Sequence, residues 1–465
     1  MKFSTLNNTF FSKWTNSLGF LLFSCWFFVF LLISSSTGLE SDSPSSFWTS
    51  PTSSERPHGL IYPGDSSGVA VDYTTTNKDP NGQSEIDYST FQPKTPQERI
   101  LAATSILGYY EDSHGDLSNW MARISDSAQI SSLSIPGTHD SATWNYTQAT
   151  QAALNPITGV LPPAIAFQCQ SRSLFQMLGD GVRFFDLRVG YLPGLKELGF
   201  FHAAALLDPK AALKDVLLGF YLWLDDHPTE TLLVSIKVDN ATFEDPSSDK
   251  QPSTAELQKS IYQLLRGDDV ARSYWFNKDS ELGNMGESRG KIIFIQRVEW
   301  NLIRSDPTLE PIGIPIPPSV YPDNNPSFSI TYNNETNSKV FIEDFYDIKP
   351  NPSPLEDKVD RKFKAIKDNI DKAIKDLYNK DQLFITFASG EAVRNNPPIT
   401  PKATQGVEGK TDGVNKKILD FLNQKLECKD KSNSQELKRL GILVLDWYYQ
   451  TPTLIKKIID YNFQQ

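Results

Sequence analysis

SLSIPGTHDSAT (residues 132–143) runs a short apolar strand directly into a Gly-Thr-His-Asp turn. A histidine and a carboxylate at the C-terminal end of a strand are placed for proton transfer, and in α/β barrels that end carries the site. Downstream, short β-branched and aromatic runs alternate with longer amphipathic stretches, the pattern of repeated strand-helix units. Strands are predicted at 130–135, 182–187, 198–202, 231–236, 291–296, 340–344, 383–387 and 442–445, with helices at 208–226, 254–265, 355–377, 413–426 and 453–461. Eight strands with interleaved helices favour an α/β fold, a (β/α)₈ TIM barrel, over an open sheet. The barrel is expected to be irregular between strands two and three, where about ten residues leave a crossover helix little room.

If the barrel closes, its rim gathers ionisable groups. His139 follows strand one, Arg188 ends strand two, His202 strand three, Lys237 strand four, Arg297 strand five, Asp344 strand six and Asp446 strand eight. Taken singly, a strand-end Lys or Arg is more often a solvated rim residue. In a ring with two histidines, each becomes a candidate for a shared pocket. Of the other histidines, His58 and His114 precede the barrel, and His227 lies in a DDHPTE helix end that turn formation explains. Two histidines facing one mouth suit a general base and a general acid.

The remaining features set the context. The chain has 465 residues and a net charge of −11, which argues against nucleic acid as a partner because phosphate-backbone binding needs a basic face. Lys2 and Lys13 precede an apolar run at 18–33 and then small residues to Gly38, the layout of a secretory signal peptide over 1–38. A secreted protein is expected, with a membrane anchor as the alternative if the segment is not cleaved. Residues 39–95, rich in Ser, Thr, Pro, Gly and Asp, read as a disordered spacer before a catalytic domain at 96–465. Sequons at Asn145, Asn240 and Asn334 fit export. With Cys25 removed, Cys169 and Cys428 could form a disulfide or remain thiols, and no spacing suggests zinc.

The segments SIPGTHDSAT, GVRFFDLRVG, the strand ending in His202, HPTETLLVSIK, RGKIIFIQR, IEDFYDI and GILVLDWY occur in this order. Together they resemble the X-domain of phosphatidylinositol-specific phospholipases C in its bacterial-type form, over residues 119–459. The resemblance implies cleavage of an inositol phospholipid at a membrane surface, by a monomer without a cofactor, to diacylglycerol and inositol 1,2-cyclic phosphate. His139 resembles the base that takes the 2-hydroxyl proton and Asp446 the carboxylate that orients it. His202 resembles the acid that protonates the leaving oxygen, with Asp140 as its partner, and Arg188 the cation on the phosphoryl oxygens. Lys237, Arg297, Asp344 and Tyr346 match headgroup positions, Tyr346 as the aromatic face.

Calcium-using relatives carry a carboxylate where this chain has Arg188, so no metal is expected. Ala203 departs from the glycine common after the acid. An insert at 147–166 and an apolar, proline-rich loop at 307–321 follow strands on the pocket side, as lids or as bilayer contacts. The alternatives are a catalytically retired X-domain that binds headgroups or glycans, and a glycerophosphodiester phosphodiesterase-like enzyme.

Overall fold

The computed structural model describes residues 76–78, 84–86, 95–110, 115–239, 255–348, 354–376, 381–390, 406–407, 411–427 and 439–463. The signal segment, most of the spacer, Asn240 and Cys428 lie outside these residues. Within the segment read as spacer, Thr76–Lys78 pairs antiparallel with Ser84–Ile86.

Strands and helices are numbered here from the start of the barrel. The strands are β1 (Ser134–Thr138), β2 (Phe184–Tyr191), β3 (Leu198–His202), β4 (Ala205–Ala212), β5 (Thr231–Val238), β6 (Lys291–Arg297), β7 (Ile314–Pro315), β8 (Asn325–Asn333), β9 (Ser338–Asp344), β10 (Leu383–Phe387) and β11 (Gly441–Leu445). The helices used below are α1 (Gln148–Thr158), α2 (Leu213–Asp226), α3 (Ala255–Arg266), α4 (Leu355–Lys375), α5 (Val414–Glu427) and α6 (Leu454–Asp460). Parallel pairing runs β9-β10-β11-β1-β2-β5-β6-β7, giving eight parallel staves. Most stave residues are buried, because helices cover the outer face and side chains fill the interior; such strands read as apolar runs rather than alternating ones. Gly137 is forced by this filling: a Cβ there would lie 2.9 Å from Phe184 Cβ.

Three expectations need correction. The strand expected at 130–135 is β1, which begins only at Ser134 and runs to Thr138, after a 3-10 turn at Ile130–Ser132. The strand at 198–202 is no stave: it pairs antiparallel with β2, Val189 opposite Phe200, and continues into β4. The short connection closes a hairpin, Leu192 N–H donating to the Glu197 carbonyl at 2.8 Å, and cannot hold a crossover helix. The place of the missing stave falls to the two-residue β7, parallel to β6. The helix expected from 208 begins only at Leu213, because 205–212, with Pro209, extends as β4. Among the described residues no ladder joins β7 to β8 or β9, so the barrel keeps a seam there.

Candidate active site

Strand register builds the site. Thr138 stands opposite Leu445, so the next residues, His139 and Asp446, emerge side by side although 307 positions separate them in the chain. His139 Nδ1 lies 2.8 Å from Asp446 Oδ1. Gln170 ties this junction, donating to the carbonyls of His139 at 2.7 Å and Leu445 at 2.8 Å. Arg188 is level with Lys237 on β5, and Lys237 with Arg297 on β6, which sets three cations in one row. Two residues deeper, the buried Asp186 accepts from Arg188 Nε at 3.3 Å and Arg297 Nη1 at 3.3 Å. Asp186 carries the lower layer of the site and was missed by sequence reasoning; its signal was the i, i+2 spacing to Arg188.

Protonation follows from the bonds. A guanidinium can only donate, and Arg188 Nη2 sits 2.6 Å from His139 Nε2, so Nε2 carries the lone pair and Nδ1–H donates to Asp446. Burial, reinforced by the charge on Arg188 and by His202, holds His139 well below its ordinary 6.5. His139 therefore rests as a neutral base with Asp446 on its Nδ1, while burial and the nearby Asp140 push the Asp446 carboxyl well above the usual carboxylate range. Arg188 Nη1 is 3.0 Å from Asp140 Oδ2, so its two nitrogens bridge the base and Asp140.

His202 reaches the mouth from the tip of the β3–β4 hairpin. Its Nδ1 donates to the Phe167 carbonyl at 2.8 Å and lies 3.2 Å from Asp140 Oδ2. The ring centres of His139 and His202 are 6.3 Å apart with the ring planes nearly perpendicular. The hairpin turn is anchored by Asp239, another residue not foreseen, which accepts from Ala203 N–H at 2.6 Å and Lys237 Nζ at 2.5 Å. Against the cost of burial, Lys237 and Arg188 hold Asp239 well below the usual carboxylate range. Ala203 has φ 50°, the left-handed region that favours glycine.

On the far wall, Arg297 Nη2 lies 3.7 Å from Asp344 Oδ2. The aromatic ring over this pair is Tyr321, from the proline-rich loop: its hydroxyl donates to Asp344 Oδ2 at 2.7 Å and its face lies 4.6 Å from the Arg297 guanidinium. Tyr346 instead donates to Asp323 at 2.7 Å, at the outer edge. Phe387, ending β10, stands edge-on to His139 at 6.3 Å. Among the nine residues expected at the site, eight share this mouth and Tyr346 stands at its rim. His227 is structural: it is buried, stacked on Trp223 at 4.1 Å.

No family model matches the chain. Curated relatives include 1-phosphatidylinositol phosphodiesterase of Staphylococcus aureus, 24% identical over 61% of this chain and 80% of that protein. The enzyme of the same name from Listeria monocytogenes is 24% identical over 74% of this chain and 84% of its own. PI-PLC X domain-containing protein 1 of Mus musculus is 28% identical over 26% of this chain and 40% of its own. Among solved structures, a phosphatidylinositol-specific phospholipase C from Staphylococcus aureus superposes with a TM-score of 0.54 at 20% identity, covering 75% of this chain and 98% of that one. That likeness shows the barrel fold, and the sequence relatives carry the names the motifs had suggested.

Proposed function

We propose that this chain, similar to bacterial phosphatidylinositol phosphodiesterases in sequence and to a bacterial phosphatidylinositol-specific phospholipase C in fold, cleaves inositol phospholipids to diacylglycerol and inositol 1,2-cyclic phosphate. The observation that carries the reading is the Asp446–His139–Arg188 line, rooted on the buried Asp446 and facing His202 across the mouth. His139 Nε2 takes the proton of the 2-hydroxyl while Asp446 stabilises the imidazolium that forms. The attacking oxygen belongs to the substrate, so proximity supplies much of the rate and the protein moves two protons. Arg188 turns from the base to the phosphoryl oxygens, where a planar two-donor cation fits the developing charge. His202, with Nδ1 held by Phe167 and Asp140, protonates the diacylglycerol oxygen through Nε2. Lys237, Arg297 and Asp344 hold the inositol hydroxyls with Tyr321 as the aromatic face, and Tyr346 reaches the headgroup only from the rim.

Every step is assigned to these side chains, and the reaction is proposed to run without a metal. Val160 and Val320 are exposed, one in the insert after β1 and the other beside Tyr321, and they are proposed to meet the bilayer at the mouth. Export through residues 1–38 and a monomeric state belong to the same proposal. Among the described residues no helix is long and apolar enough to cross a membrane.

The test is incubation of purified protein with phosphatidylinositol vesicles in chelator, following phosphorus resonances for the cyclic phosphate. His139→Ala and His202→Ala should each lower turnover by about 10² or more. Near-normal turnover in either folded variant overturns the assignment.

A further inference from the structure

Cys169 plays no part in the reaction proposed above, yet its thiol lies among the reacting groups. The residue is buried, and its backbone is pinned on both sides. Its N–H donates to Thr143 Oγ1 at 3.0 Å and its carbonyl accepts from Trp447 N–H at 2.9 Å, so it spans the turns after β1 and β11. Sγ is 3.8 Å from His202 Nδ1. His139, Asp140 and Cys169 each bring one nitrogen, oxygen or sulfur atom to within 4.8 Å of the others, with His139 Nε2 and Asp140 Oδ2 3.9 Å apart. Tetrahedral zinc, with bonds of about 2.0–2.3 Å, needs ligand separations of roughly 3.3–3.8 Å, so a closure of about 1 Å or less brings three donors together and leaves the fourth position to water. The second sphere is also in place: Asp446 accepts from Nδ1 of the same imidazole at 2.8 Å, the carboxylate-histidine arrangement that raises ligand basicity at zinc sites. A cation already holds this position, because the Arg188 guanidinium sits against His139 Nε2 and Asp140 Oδ2.

We propose that these side chains form a latent site for a thiophilic divalent cation such as zinc. The ion is bound by Cys169 Sγ, His139 Nε2 and Asp140 Oδ2 in place of the Arg188 guanidinium, and loading the site shuts the enzyme off. Binding exchanges the thiol proton for the metal: Cys–SH and M²⁺ give Cys–S–M⁺ and H⁺, with no redox change. A hard ion such as calcium would meet the Asp140, Asp186 and Asp239 carboxylates that now face Arg188 but gains nothing from the sulfur, so the thiolate sets the preference for a thiophilic ion. The bound metal takes the lone pair of the base, so the block is competitive with the phosphodiester. Only this inhibitory arm rests on the phosphodiesterase reading.

The experiment uses the full-length purified protein, stripped of metal and returned to chelator-free buffer. Titration with cobalt(II) should produce a thiolate-to-metal charge-transfer absorption that zinc then abolishes. Cys169→Ser and Cys169→Ala, shown to be folded by their circular dichroism, should lack the band and lose zinc affinity by about tenfold or more, while Cys428→Ser should keep both. Zinc should slow the parent's turnover of phosphatidylinositol vesicles, chelator should restore it, and equal magnesium or calcium should have no effect. Cys169→Ser should resist zinc relative to its own metal-free rate. The proposal is overturned if the parent shows no thiolate band, if Cys428→Ser is the variant that loses it, or if folded Cys169 variants bind or respond to zinc as the parent does. A cobalt band that depends on Cys169 in a protein that cleaves no phosphatidylinositol would retain the metal site and remove the phosphodiesterase reading.

Discussion

At the scale of single residues, the site keeps its base neutral and its lone pair occupied. Asp446→Asn should keep the fold and lower kcat by about 10² or more, since the imidazolium formed on proton abstraction loses its counter-charge. Where the Asp446 carboxyl is ionised, removing it disfavours protonated His139, whose pKa burial has already lowered, so the acid limb should move to still lower pH. A limb that moves upward refutes the orienting role. In the parent, an anionic substrate that draws Arg188 away removes a cation from the base and adds negative charge beside it. The acid limb of kcat should therefore lie at higher pH than that of kcat/KM, and coincident limbs would show that Arg188 stays on Nε2 in the complex. Ala203, at φ 50° in the turn after the acid, has a simpler consequence: Ala203→Gly should stabilise the protein by about 1 kcal/mol, measured by thermal or denaturant melts.

At the scale of elements, much was legible from the chain and the misses have physical causes. The staves β2, β5, β6, β9, β10 and β11 and the helices α3, α4, α5 and α6 were visible because long apolar or amphipathic runs carry their own period. β3 was visible as a strand but not as a hairpin arm, because its four buried residues before His202 look the same whether the partner is parallel or antiparallel. β7 has two residues and no period to detect. His139 and Asp446 could be found because each directly follows a strand, and Arg188 because it ends the apolar run of β2 although the strand continues to Tyr191, whereas Tyr321 enters from a loop whose path no periodicity encodes. One contact between layers escaped notice: Glu343 on β9 and Lys362 on α4 are both fully buried and paired at 2.7 Å. Burial pushes the Glu343 carboxyl up to about 7, opposed by Lys362. Glu343→Leu alone should destabilise by about 3–5 kcal/mol, because it strands a buried ammonium, while Glu343→Leu with Lys362→Met should recover most of that loss. Equal melts for the single and double variants would count against the pair as an isolated unit.

At the scale of the whole molecule, the sheet is a barrel with one unlaced side. Between β7 and the β8–β9 hairpin, side chains at the mouth, Arg297, Tyr321 and Asp344, do what a ladder does elsewhere. Amides of β7 and β8 should exchange with solvent faster than those of β1, β2, β5 and β11, as read by hydrogen exchange; uniform protection around the barrel would show the seam to be closed in solution. The opposite side has the reverse property. There the first and last strands meet, and the base and its orienting carboxylate come from turns 307 positions apart. On the proposed reading, a chain that has folded all but its final strand owns His139, His202 and Arg188 but lacks the Asp446 that orients the base. If the proposed roles hold, the topology itself acts as a safety catch, because catalysis then waits on that final strand.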